Sequence, residues 1–198
     1  MTESLFESQR VRLAPPDADK DAAIESGWTH DLDFQRRIGN SPARPLSPGQ
    51  VKKKYEALEK DGDKQFYFAA RTRTLEPDGL GRLIGCARLF WVDHVHGSAN
   101  LNLGIGAPAD RGQGYGTELM ALMLNYAFNE LGLHRLGAMV TEDNPGAIQF
   151  IERHGFQLEV RRRQAALRDN QRWDMLLYGL LRSEWAASRR TAAAANGK

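Results

Sequence analysis

The sequence predicts an α/β (α+β) chain built on a single mixed, mostly antiparallel sheet of about seven strands flanked by helices. Three observations predict it. Two pairs of extended stretches rich in aliphatic and aromatic residues, 65–71 with 83–92 and 156–166 with 173–181, each read as a hairpin. Between the pairs come an apolar strand, a glycine turn, a long amphipathic stretch, a second strand and a further helix, in that order. And 198 residues, 41% hydrophobic and 26% charged, suffice for one well-packed core where two would be crowded.

In chain order, residues 11–14 form a short first strand that Pro15-Pro16 ends. Asp17 and Asp19 open a helical stretch towards Gly27, and a second helical piece follows Trp28. Ser47-Pro48-Gly49-Gln50 starts the next helix. Ser47 caps, Pro48 suits the first turn where its missing N–H is harmless, and Gln50 completes a capping box. That helix runs to about residue 60 and stops at Gly62. The turn of the first hairpin holds Pro77, Asp78 and Gly79. In the strand 98–106, Asn100 and Asn102 alternate with Leu101, Leu103 and Ile105, so one face is apolar and the other presents amides to a polar cleft.

From 114 to 131, Leu119, Leu122, Met123, Tyr126 and Ala127 recur at helical spacing, and Met120, Leu124 and Phe128 widen the stripe into a largely buried helix. Gly132 ends it, 135–141 is a strand, and Asn144-Pro145 opens a helix that Gly155 closes. The last strand, 173–181, is apolar on both faces and reads as interior. The domain is expected over 1–185, with 186–198 a disordered C-terminal tail.

Composition excludes several classes. The net charge is +2, from 27 basic and 25 acidic residues, with Arg189, Arg190 and Lys198 supplying three of the positive charges. A nucleic-acid binder would concentrate a large basic excess on one face, and Arg161, Arg162, Arg163, Arg168 and Arg172 read instead as a solvated strand face. The single Cys86 forbids an intrachain disulfide and a thiolate zinc cluster. No run approaches the ~18 apolar residues of a membrane span. The expectation is a soluble cytoplasmic protein with no nucleic-acid or membrane partner, and a homodimer is compatible with the sequence without being specified by it.

The stretch that carries chemistry is Arg111-Gly112-Gln113-Gly114-Tyr115-Gly116-Thr117, between a strand and a long helix. Its glycines let several N–H groups converge where the helix dipole adds positive potential, an arrangement that binds phosphate oxygens, and Arg111 adds a charge-assisted bond suited to a pyrophosphate. Glycine turns before helices also occur for structural reasons alone. No Lys followed by Ser or Thr closes a P-loop pattern. A dinucleotide fingerprint nearly fits through Gly112, Gly114 and Glu142, but Thr117 stands at the third glycine and hairpins precede the loop.

Arg-x-x-Gly-x-Gly at 111–116 resembles the acetyl-CoA loop of the GNAT N-acetyltransferases. Two further blocks are similar to that family: Asn144-x-x-Ala147-Ile148 through Glu152-Arg153-x-Gly155-Phe156 to its second cofactor helix, and Trp173-Asp174 through Tyr178 to Glu184-Trp185 to the C-terminal strand of its ribosomal-protein and spermidine acetyltransferase branch. His94-Val95-His96 and Trp28-x-x-Asp31 resemble the same branch.

The resemblance implies the GNAT fold, with a splayed parallel strand pair, and acetyl-CoA as cofactor. It places the cofactor against Leu103, Gly104, Ile105, Gly106, the loop 111–117, Asn144, Ala147 and Ile151. Pantetheine amides would pair with the splayed strand ends, and a free N–H near Ile105 would stabilise the oxyanion. The reaction implied is acetylation of a primary amine, on a protein N-terminus or a small polyamine-like molecule. A non-catalytic acyl-CoA sensor and a dinucleotide-dependent enzyme are the alternatives.

The expected acid and base are missing. An alkyl ammonium of pKa ~10.4 is only about one part in a thousand nucleophilic at neutral pH, so activation is worth on the order of 4 kcal/mol. Where relatives place a strand carboxylate this chain has Asn100 and Asn102, and where they place a Tyr or Ser it has Ile151 and Ala147. Glu142, at the end of the second splayed strand, is the best placed carboxylate for catalysis by topology. Asp31 and Asp33 beside Trp28, His30 and Phe34 are candidates for an acidic, aromatic-edged amine pocket, with helix capping and surface charge as the alternative. His94 and His96 lack a carboxylate partner in the pattern, and no metal is assigned.

Overall fold

The computed structural model describes residues 4–39, 42–60, 62–76 and 79–196. Seven strands form one sheet: β1 (Val11–Ala14), β2 (Gln65–Leu75), β3 (Gly81–Asp93), β4 (Ser98–Ile105), β5 (Arg135–Thr141), β6 (Gln157–Arg168) and β7 (Gln171–Leu181), in the order β1-β2-β3-β4-β5-β7-β6. Every pairing is antiparallel except β4 with β5. Among the described residues there are six α-helices: α1 (Asp21–Trp28), α2 (Leu32–Ile38), α3 (Pro48–Lys60), α4 (Tyr115–Asn125), α5 (Pro145–Arg153) and α6 (Arg182–Asn196).

Strand alternation divides the interior between the two faces of the sheet. Ala70 and Ile84 point into the large core with Leu119, Met123 and Phe128 of the α4 region, Ile151 of α5 and Trp185 of α6. Their neighbours Ala69 and Leu83 point the other way, onto Trp28 and Phe34, while Ala22, Val51 and Tyr55 join α1 to α3. So α4, α5 and α6 cover one face and α1, α2 and α3 the other.

Local chemistry explains most boundaries. At α3 the capping box forms reciprocally: Gln50 N–H donates to Ser47 Oγ at 3.3 Å, and Ser47 N–H donates to Gln50 Oε1 at 2.9 Å. Asn144 caps α5 by accepting from Ala147 N–H at 3.1 Å, with Pro145 in the first turn. The helix expected over 114–131 changes at Tyr126 to a π-helical turn that ends at Glu130, which keeps Tyr126, Ala127 and Phe128 all buried. Asp169 and Asn170, at φ +49° and +59°, make the tight turn between β6 and β7. Pro77 and Asp78 of the other hairpin lie outside the described residues.

Two expectations change. The tail is helical: α6 continues through Asn196 instead of fraying after residue 185. Leu181 N–H donates to Glu184 Oε2 at 2.9 Å, Trp185 packs on Phe128 with ring centroids 5.2 Å apart, and Ala186 rests on the core, so an anchored start propagates into an alanine-rich run of high helix propensity. Of the arginines read as solvated, Arg161, Arg162, Arg163 and Arg172 are exposed. Arg168 instead turns inward to Asp143 at 2.9 Å and the carbonyl of Arg36 at 3.0 Å. The interior placement of the last strand holds, because β7 lies between β5 and β6.

Candidate active site

The site begins where two strands part. β4 and β5 are in register only from Ser98 opposite Arg135 to Asn100 opposite Gly137. Beyond that, β4 continues to Ile105 and β5 to Thr141 without pairing, so their facing backbone edges lack a strand partner. Gly137 makes room at the fork: a Cβ there would stand 2.6 Å from Asn100 Oδ1.

The glycine loop lies at the end of the splay. Gly112 and Gly114 have φ of +75° and +88°, and a Cβ on Gly114 would lie 2.7 Å from Arg10 Nη2. Arg10 holds the loop by donating from Nη1 to Gln113 O at 2.9 Å and from Nε to Glu118 Oε1 at 2.6 Å. Burial opposes ionisation of Glu118, but hydrogen bonds from Ser8 and Arg10 outweigh it and keep the carboxyl below its usual range. Arg82 grips Asp110 with two bonds of 2.7 and 2.8 Å, fixing the turn before Arg111 and lowering the Asp110 pKa. Among the described residues, the N–H groups of Gly114, Tyr115 and Gly116 have no protein acceptor. They form the open first turn of α4, the place where an anion fits.

Four cavities run in series from this loop. The first, of about 500 Å³, is lined by Leu103, Gly104, Ile105, Arg111, Gly112, Gly114, Gly116, Thr117 and Ala147, together with Arg37, Gly146, Phe150 and Arg153. It shares Arg37, Leu103, Ala147 and Phe150 with a space of about 70 Å³ between the splayed strands, which Ile151 also lines. That space shares Arg37, Asn102, Met139, Val140 and Ala147 with a small gap beside Asn144. Asn102 and Gly39 then lead into a cavity of about 210 Å³ under α1, α2 and α3.

Of the residues expected to hold the cofactor, three stand apart from these walls. Gly106 packs against the Trp28 indole, where a Cβ would collide. Gln113 folds back to donate to Ala109 O at 2.5 Å. Tyr115 lies under the Arg10 guanidinium, 5.1 Å from ring centroid to charge. Arg111 lines the cleft but is also tied down, donating from Nη2 to Gly106 O and to Asp31 Oδ2, both at 2.6 Å.

The residues expected as acceptor pocket and base are engaged within the protein or face solvent. Asp31 caps α2 through Asp33 N–H at 2.9 Å and pairs with Arg111. Burial works against its ionisation, and the Arg111 hydrogen bond and charge more than offset this, so its pKa is lowered. Asp33 is exposed and 3.8 Å from Arg37. Trp28 meets Phe34 edge-on at 5.4 Å. Glu142 pairs with Arg161 at 2.6 Å and lines none of the four cavities, because its backbone N–H joins Asp174 of β7 and turns it away from the splay. His94 sits on an exposed turn and donates to Asp63 O at 3.1 Å.

Arg37 carries no signal in the sequence, since nothing near it repeats or matches. Phe150 and Arg153 were within reach, as both fall at i+3 steps from Ala147 on α5, and Arg153 lies 4.9 Å over the Phe150 ring.

A profile of the acetyltransferase (GNAT) domain matches residues 10–157. The chain belongs to the GNAT acetyltransferase family. This GNAT chain is 31% identical over 137 residues to the spermidine N(1)-acetyltransferase of Vibrio cholerae, a match covering 68% of the chain and 76% of that protein. It is 36% identical over 107 residues to a probable N-acetyltransferase, YjcK, of Bacillus subtilis, covering 52% of the chain and 54% of that protein. Among solved structures, spermidine N-acetyltransferase from Vibrio cholerae in complex with CoA and spermine shares the fold, with a TM-score of 0.78 at 20% identity over 90% of this chain and 99% of that one.

This GNAT chain is an acyltransferase that uses acetyl-CoA and delivers the acetyl group to an amine. The geometry is compatible with that cofactor: free amides at the start of α4 suit a diphosphate, and the unpaired edges of β4 and β5 leave backbone groups with which pantetheine amides can pair.

Proposed function

We propose that acetyl-CoA enters along the glycine loop, lays its pantetheine arm in the splay, and meets a small primary amine seated in the cavity under α1–α3, with Asn102 where the two join. The unbroken series of cavities from Gly112 to Glu25 supports this most directly, since Asn102 lines the splay, the gap and the front cavity alike. Of the two acceptor classes open in the sequence, a small molecule is favoured over a protein N-terminus. The front cavity is walled by the sheet and by residues of all three front helices, and two relatives from different bacteria are named spermidine N(1)-acetyltransferase.

The free edge of β4 between Leu101 and Ile105 supplies N–H groups for the pantetheine amides and for the thioester oxygen. The ammonium proton leaves to water. Tyr67, at the cavity wall, is held protonated because burial first, and then the neighbouring Cys86 and Glu25, push its pKa well up, and Glu25 is itself bonded to Lys54, Tyr55 and Tyr67. Desolvation of the amine as it reaches Asn102 favours its neutral form.

The test is thiol release from acetyl-CoA with a panel of primary amines. Asn102→Leu, which fills the junction, is expected to lower kcat about 100-fold, a barrier of about 2.7 kcal/mol, while acetyl-CoA still raises the melting temperature as in the parent. Unchanged kcat in Asn102→Leu would place the reaction elsewhere.

A further inference from the structure

From the charges lining the front cavity, we infer that the acceptor amine also carries an anionic group, and that Arg88 binds it. This rests on the proposed meeting of thioester and amine at Asn102. The charged residues lining the cavity are Glu25, Lys54 and Arg88, a formal sum of +1.

Glu25 is spent within the protein: it is 2% exposed and accepts from Lys54 Nζ at 2.5 Å, Tyr55 Oη at 2.6 Å and Tyr67 Oη at 2.9 Å. Its charge is matched by Lys54, and both its oxygens are occupied. An incoming ammonium would have to displace those partners. The gap next to this cavity adds Arg36 and Arg37 and no carboxylate. A polyamine, with two or more positive charges, finds no free acidic wall here among the described residues.

Arg88 differs from the other cations. Arg36 is paired with Asp169, Arg37 with Asp33 and Lys54 with Glu25. Among the described residues Arg88 has no carboxylate partner, and its guanidinium rests over the Phe90 ring at 4.6 Å. It stands on the middle strand of a straight cross-strand row, opposite Tyr67 of β2 and opposite Asn102 of β4.

Cross-strand partners share a face and stand about 5 Å apart. Arg88 and Asn102 are therefore one strand spacing apart at the backbone, and the Arg88 fork, over the Phe90 ring, lies further along the same face from the side chain where the thioester emerges. The amine and the anion of the acceptor are then separated by a few bonds. Carboxylate and phosphate both match the planar fork, and stacking on Phe90 holds that fork in place.

The experiment measures acetyl-CoA-dependent thiol release with glycine, β-alanine and γ-aminobutyrate as carboxylate carriers, O-phosphoethanolamine as phosphate carrier, propylamine as neutral reference, and putrescine and spermidine as polycations. The expected result is a kcat/KM for at least one anionic amine about tenfold or more above propylamine and both polycations. The carboxylate and phosphate arms identify which anion is taken. Arg88→Ala is expected to collapse that preference over propylamine, mainly through KM, and Arg88→Lys to restore part of it by keeping the charge without the fork. Should spermidine or putrescine be the better substrate, or should the preference survive in Arg88→Ala, the inference falls while transfer at Asn102 stands. A protein that acetyl-CoA stabilises but that acetylates no amine on the panel overturns both.

Discussion

Single residues carry much of the geometry through what they leave out. Gly106 is an instance beside the site, because its backbone runs against Trp28 and leaves no space for a Cβ. Trp28 in turn holds Phe34, and Gly106 O accepts from Arg111. Gly106→Ala is therefore expected to cost about 1–3 kcal/mol by overpacking and to lower acetyl-CoA affinity as Arg111 shifts. Urea unfolding and a CoA titration of the same variant check the two effects, and unchanged values in both would mean the indole moves aside freely. Arg111 illustrates how a motif residue is read incompletely from sequence. The motif suggested a diphosphate ligand, yet two bonds of 2.6 Å show that it also closes the loop onto Asp31 and Gly106. Its charge in Arg-x-x-Gly-x-Gly was legible, but its internal partner, eighty positions away, was not.

At the scale of elements, the helix starts and stops were legible because their chemistry is local. Ser47 and Gln50 lie three positions apart and satisfy each other's backbone donors, so α3 begins where the pattern said it would. Ser47→Ala is expected to lose about 1 kcal/mol, measured as a fall in urea midpoint with unchanged slope. Because α3 roofs the front cavity, the same variant should raise KM for the amine more than for acetyl-CoA. A change in acetyl-CoA KM alone would separate α3 from the acceptor. By contrast, the tail was misread because the alanine run was judged without its anchor. Trp185 on Phe128 supplies the nucleus that an isolated alanine segment lacks. The two aspartates of α2 show the same limit. Asp31 and Asp33 look like an acidic lip in sequence, but α2 uses one as its cap and exposes the other.

For the whole molecule, buried charge links the layers to each other and to pH. Asp21 of α1 and Arg71 of β2 are both buried and joined by bonds of 2.6 Å, tying the front helices to the sheet. His154, at the end of α5, is pushed below its ordinary pKa first by burial, with its Nδ1–H donating to Phe150 O at 2.6 Å opposing and the Arg153 charge adding. The folded chain keeps it neutral, whereas the unfolded chain takes up a proton near pH ~6.5. The unfolded state therefore binds more protons as pH falls through that value, and the stability His154 contributes above it is lost on the acid side. Stability from urea unfolding is expected to decline between about pH 7 and 5 more steeply in the parent than in His154→Gln, and equal slopes would remove His154 as the cause. The sequence by itself determined the strand and helix order, the glycine loop, both helix caps and the family, because each is written in residues within a few positions of one another or in blocks of fixed spacing. Only the tertiary structure decided which carboxylates are free. Glu25, Asp31 and Glu142 are each neutralised by a cation distant in the chain, and whether a charge is available to a substrate depends on partners that folding alone brings within hydrogen-bond reach.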